Sequence, residues 1–157
     1  MPEFGATLRA VADHEGPIHA VVGHSLGGAA SIFALARGLR ASRAITIAAP
    51  ADLPGWAYHF RDTFAIPPTA FRRMQENLER RLRITWQDLE VPVLARRLDL
   101  PGLVIHDVHD TDVPWAEGQA IANAWRGAAL MTTEGLGHRA ILRDEAVIAR
   151  VVEFLSR

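Results

Sequence analysis

The sequence predicts an α/β domain, a small parallel sheet of about four strands flanked by helices. Two observations predict it. Short apolar runs bounded by proline or glycine recur along the chain, and a segment of helical spacing separates each run from the next. The runs are near-continuously apolar rather than alternating, which suits strands buried on both faces of a parallel sheet. With 157 residues the chain is expected to form one domain, residues 1–157, large enough to bury a real core.

The elements follow in order. Residues 3–14 have helical spacing, with Leu8, Val11 and Ala12 on one stripe, and Glu15-Gly16-Pro17 ends the helix. Ile18 to Gly23 reads as the first strand, and residues 26–39 as a helix of small residues. Arg43 to Ala49 is the second strand, closed by Pro50. Residues 52–98 differ. Their aromatic and charged helical patterns are broken by Pro54, Pro67, Pro68 and Pro92, so they read as a helical insertion. Gly102 to His106 is the third strand, Pro114 to Trp125 a helix, and Ala128 to Thr132 the fourth strand. A last helix runs from Asp144, a suitable N-cap, to Leu155. Right-handed crossovers between sequential strands would place the connecting helices mainly on one face of the sheet.

Composition removes several function classes. A net charge of −1 without like-charge runs gives no field that favours nucleic acid or an anionic membrane. There is no cysteine, which excludes disulfides, thiolate metal sites and a cysteine nucleophile. No histidine pair has the spacing and third ligand of a metal site, so neither a metal nor another cofactor is expected. No apolar run approaches the roughly 18 residues of a membrane span. The N-terminus lacks the basic and apolar regions of a signal peptide, so a cytoplasmic location is expected. All 17 Lys/Arg positions are Arg and alanine is abundant, which suggests a GC-rich bacterial genome.

The strongest chemical signal is Gly23-His24-Ser25-Leu26-Gly27-Gly28, a G-x-S-x-G pattern between a strand and a helix. A serine on such a sharp turn is held in a strained conformation, and small neighbours let the chain pass close by. The helix behind Ser25 supplies partial positive charge, and the Leu26 N–H is the candidate oxyanion donor. Serine needs a base, and the base needs an orienting acid. Carboxylates follow the third strand at Asp107, Asp110 and Asp112, and His138 follows the fourth in Gly135-Leu136-Gly137-His138. The chain order Ser, Asp, His is the one expected on this sheet, with each group beyond the carboxyl end of a strand.

On these stretches, and on His106 to Pro114, residues 17–157 resemble the C-terminal portion of an α/β-hydrolase. The third strand of that family often continues as His-Gly-x-x-Asp-x-x-Val-Pro, which places the acid on Asp110; Asp107 stands where the family usually has glycine. Asp112 precedes Val113-Pro114, where a carboxylate would also suit a helix cap. His24 and His106 match positions at which the family's histidines are usually structural. His14, His19 and His59 suit packing or exposure better than catalysis, and His109 merely neighbours the acid.

The resemblance implies a serine hydrolase that cleaves carboxylic esters through Ser25, His138, Asp110 and an acyl-enzyme. Amide, thioester, lactone, perhydrolase or C–C-bond chemistry would use the same residues. The insertion at about 52–98 corresponds to a helical cap. Its Trp56, Tyr58, Phe60, Phe64, Phe71 and Trp86 either line a pocket for short or medium acyl chains or form the cap's own core. The family's strands before the nucleophile are missing, and with them the loop that supplies a second oxyanion donor. The alternative is therefore a non-catalytic, truncated remnant that binds or assembles. The same loss leaves the strand Ile18 to Val22 as an edge with apolar side chains, so a homo-oligomer, most simply a two-fold dimer, is expected.

Overall fold

The computed structural model describes residues 1–157. Four strands, β1 (Ile18–His24), β2 (Ala41–Ile47), β3 (Gly102–Asp107) and β4 (Ala128–Thr133), form one parallel sheet in the order β1-β2-β3-β4. Helix α1 (Pro2–Glu15) precedes the sheet, and α2 (Leu26–Ala36) joins β1 to β2. Between β2 and β3 lie α3 (Leu53–Thr63), α4 (Pro68–Leu82), a 3-10 turn (Trp86–Leu89) and α5 (Val91–Ala95). Helix α6 (Trp115–Ala124) joins β3 to β4, and α7 (Gly137–Ala140) and α8 (Glu145–Leu155) complete the chain.

Several element ends differ from expectation by one to three residues, and two of the differences have evident local reasons. Strand β2 ends at Ile47 rather than Ala49 because Ala48 turns out of the strand with φ 51°. Its N–H still reaches the Ile105 carbonyl at 2.9 Å. Helix α2 ends at Ala36 rather than 39, because the N–H groups of Gly38 and Leu39 fold back onto the Leu35 and Ala34 carbonyls.

Side-chain alternation along the strands builds two cores. Val21, Ala44 and Val104 point to one face and pack with Ile32, Leu94, Ile121 and Trp125 from the connecting helices. Ile45, Ile47, Leu103 and Ile105 point to the other and meet Ile141, Val147 and Phe154. Burying each such side chain contributes roughly 1.5–3 kcal/mol, and the first face holds the larger share. Helix α1 joins that face through Gly5, which touches the Phe33 ring, and through Leu8 and Ala12. Val11 is 51% exposed, so it lies off the stripe the sequence suggested.

The second face is covered by α7 and α8 alone. Asp144 caps α8 by accepting from the Val147 N–H at 2.9 Å. At the other end, His19 Nε2 donates to the Leu155 carbonyl at 2.8 Å, and Arg43 donates to the Phe154 carbonyl. Those carbonyls have no partner within the helix, and the Arg43 cation there also matches its dipole. Strand β1 pairs only with β2 and is an edge; Val22 is 49% exposed, and Ile148 and Val152 on α8 are exposed to a similar degree.

Candidate active site

The carboxyl ends of β1, β3 and β4 bring three side chains together. Ser25 follows β1 directly and opens α2, with φ 53° and ψ −130°. A non-glycine residue there is strained by on the order of 1–3 kcal/mol and persists only where its surroundings hold it. They do. The Ser25 N–H donates to the Ile47 carbonyl at 2.9 Å, and the turn closes so tightly that a Cβ on Gly23 would lie 2.5 Å from the Gly27 oxygen. A Cβ on Gly28 would meet Ala49 at 2.8 Å, which is how α2 packs close to the sheet. At Gly27 an added Cβ would meet open space, so the small-residue requirement expected at that position belongs to its neighbours.

His138 Nε2 lies 3.0 Å from Ser25 Oγ, and His138 Nδ1 lies 2.8 Å from Asp110 Oδ2. With Asp110 accepting at Nδ1–H, the free lone pair is on Nε2, toward the serine hydroxyl. The carboxylate is itself fixed. Its Oδ1 accepts from the N–H groups of Asp112 and Val113 at 2.9 and 2.8 Å, and its side chain is fully buried. His138 is 9% exposed at the side chain, so the hydrogen-bonded line runs just beneath the surface.

The other candidates sort themselves by contact. Asp112 pairs with Arg139 at 2.9 Å on the rim, and it neither reaches His138 nor caps α6, whose first turn has no side-chain cap. Asp107 is buried and accepts from Thr133 Oγ1, the Leu136 N–H and the His109 N–H. Burial pushes its pKa up, but hydrogen bonds from Leu136, Thr133, Gly137 and His109 outweigh that and bring it down to about 2. His106 is buried and donates from Nε2 to the Val113 carbonyl at 2.9 Å, bracing the acid's loop. His24 donates from Nε2 to the His138 carbonyl at 2.8 Å, a contact between segments too far apart in the chain to be anticipated. His109 is exposed.

The N–H groups of Leu26 and Gly27 begin α2 and have no acceptor within the helix, whereas those of Gly28 and Ala29 return to the Ser25 carbonyl. The aromatic residues of the 52–98 segment mostly pack on each other. Tyr58, Phe71 and Trp86 form one cluster with centroids 5.3–6.5 Å apart, and Phe60 lies against Phe64. Trp56 donates instead to Glu117 of α6, which also accepts from the Ala51 N–H at 2.6 Å. A cavity of about 320 Å³ separates α3 from the acid's loop, lined by Asp52, Trp56, His59, Thr111, Asp112 and Glu117 among others. That lining is polar. No three His, Asp or Glu side chains converge as metal ligands, and no helix is long and apolar enough to cross a membrane.

A family model described as TAP-like protein matches residues 66–157, more than half of the chain and inclusive of the acid and histidine loops. The chain belongs to this family of α/β hydrolases. Solved structures carry the same fold across nearly all of this chain. The esterase EaEST from Exiguobacterium antarcticum superposes with a TM-score of 0.71 at 14% identity, over 98% of this chain and 72% of that one. A bromoperoxidase from Bacillus anthracis gives 0.69 at 14% identity, over 97% and 72%. Rv0554 from Mycobacterium tuberculosis gives 0.63 at 20% identity, over 87% and 65%. The chain thus spans less than two thirds of Rv0554 and under three quarters of the other two. Among curated proteins, none matches it by sequence.

Proposed function

We propose that the chain is a serine hydrolase that cleaves carboxylic esters through an acyl-enzyme. The single observation that carries this reading is the unbroken line from Ser25 Oγ through the His138 ring to Asp110, with both links at hydrogen-bond length. His138 Nε2 takes the hydroxyl proton as Ser25 Oγ attacks the ester carbonyl carbon, and Asp110 holds the ring and stabilises the imidazolium. The oxyanion is met by the Leu26 N–H and by the positive end of α2. Collapse expels the alcohol, which takes its proton from His138. Water then attacks the acyl carbon, His138 accepting its proton, and as the carboxylic acid leaves, His138 returns that proton to Ser25 Oγ.

Each oxyanion donor is typically worth about 10²–10³ in rate, which makes the Leu26 N–H a large part of the proposed catalysis. The exposed apolar edge of β1 at Val22 favours a second reading, in which the chain binds or assembles without turnover. The intact strain at Ser25 and the intact line behind it favour catalysis, since a serine with no chemical task has no need of either. Preference for short or medium acyl chains is proposed on the exposed apolar residues Leu26 and Trp56 near the site's elements. The test is release of p-nitrophenol from the acetate and butyrate esters: turnover that Ser25→Ala abolishes supports the proposal, and turnover unchanged in that variant overturns it.

A further inference from the structure

The ring of His138 is aimed by its side-chain partners, but its backbone belongs to a loop and a helix of only four residues. Something must hold that backbone at the right distance from the Ser25 turn. Apart from the solvent-exposed ion pair of Arg139 with Asp112, three contacts are available. Ile141, fully buried, ties the far end of the loop into the second core. Asp107 ties the near end, its Oδ2 accepting from the Leu136 N–H at 2.9 Å and from Thr133 Oγ1 at 2.8 Å. Neither of these makes a hydrogen bond to residue 138 or to the Ser25 turn.

The third does both. His24 is the residue before Ser25, and its Nε2 lies 2.8 Å from the His138 carbonyl oxygen. A carbonyl can only accept, so the hydrogen is on Nε2 of His24. The two imidazoles also pack, with centroids 4.7 Å apart and planes inclined by 48°. The bond therefore spans the gap the proton crosses in the first chemical step, joining the two strand ends that carry donor and acceptor. A displacement of the loop large enough to lengthen the 3.0 Å link from His138 to Ser25 must strain or break it.

We infer that His24 is a positioning residue, which sets the separation of Ser25 and His138 through the His138 backbone carbonyl. This rests on the proposed serine-hydrolase reading. Misplacing a reacting group by about 1 Å can cost 10²-fold, and the effect should fall on turnover rather than on binding.

The test compares His24→Phe, which keeps a ring and loses the donor, with His24→Gln, whose amide N–H reaches about as far as Nε2. In the Phe variant kcat should fall about 10- to 100-fold with KM within about twofold, and Gln should restore most of the loss. The His138 Nδ1–H proton resonance should broaden or move in the Phe variant and return in the Gln variant, a readout that needs no turnover. If the Phe variant does not fold, His24→Ala removes the same donor and is read in the same way. Wild-type kcat and an unmoved resonance in a donorless variant would overturn the inference. A wild-type protein that turns over no ester would count against the hydrolase reading instead, and the resonance would still decide the role of His24.

Discussion

Asp107 and Asp110 both sit buried at the end of β3, yet only Asp110 reaches His138, while Asp107 turns toward the backbone that carries it. The difference follows from donors. Asp110 Oδ1 is taken by the Asp112 and Val113 N–H groups, which leaves Oδ2 for the ring. Asp107 spends both oxygens on His109, Thr133 and Leu136.

Asp110 and Asp112 should separate cleanly in kinetics. Replacing Asp110 by Asn presents the wrong partner to His138 Nδ1 and is expected to lower kcat by about 10⁴, as loss of the orienting carboxylate does in such a triad. Asp112→Asn removes only a rim ion pair with Arg139 and should leave kcat within about twofold. Steady-state ester hydrolysis by the two variants checks this.

Asp107 should make the fold acid-sensitive in a defined window. Its folded pKa of about 2 lies below the ordinary 3.8, so the native state binds fewer protons than the unfolded chain between those values. The stability it contributes is complete above about pH 4 and is lost as pH falls toward 2. The urea midpoint should drop across that window in wild type and drop less in Asp107→Asn.

The glycines of the turn should differ sharply. Gly23→Ala places a methyl 2.5 Å from a backbone oxygen and should cost on the order of 3 kcal/mol or prevent folding. Gly27→Ala meets open space inside a helix and should be neutral or stabilising by up to about 1 kcal/mol. Denaturant midpoints of the two variants decide the point.

The exposed edge of β1 and the apolar residues Val22, Ile148 and Val152 support the proposal that copies of the chain associate there. Light scattering at micromolar concentration should return a multiple of 17.2 kDa, and Val22→Glu combined with Val152→Glu should lower it. A monodisperse monomer of the unaltered chain would count against this.

The sheet was legible in the sequence because its strands are short apolar runs bounded by proline or glycine. Burial on both faces holds for β3, where Leu103 to Ile105 run uninterrupted, but not for β1 or β4, whose outer positions are exposed. Ser25 and His138 were legible because each follows a strand, and strand ends are readable from the proline and glycine that punctuate them. Asp110 was set apart from Asp107 and Asp112 only by the spacing that the family resemblance implies. What was hidden depends on contacts between distant segments. Nothing local to His24 reveals that its ring ends at the carbonyl of residue 138. The role of Asp107 likewise requires the register of β3 against β4, which brings Thr133 beside it. Val11 misled because three apolar residues fit a helical stripe about as well as the one that packs, Gly5, Leu8 and Ala12, and glycine carries no hydropathic signal.

The most direct measurement is labelling with a fluorophosphonate, followed by mass spectrometry of the modified peptide. A single adduct on Ser25, formed by the wild type and lost in His138→Ala with the fold retained, is the expected result. A folded protein that stays unlabelled at Ser25, or labels equally well without the histidine, would contradict an activated nucleophile at that turn.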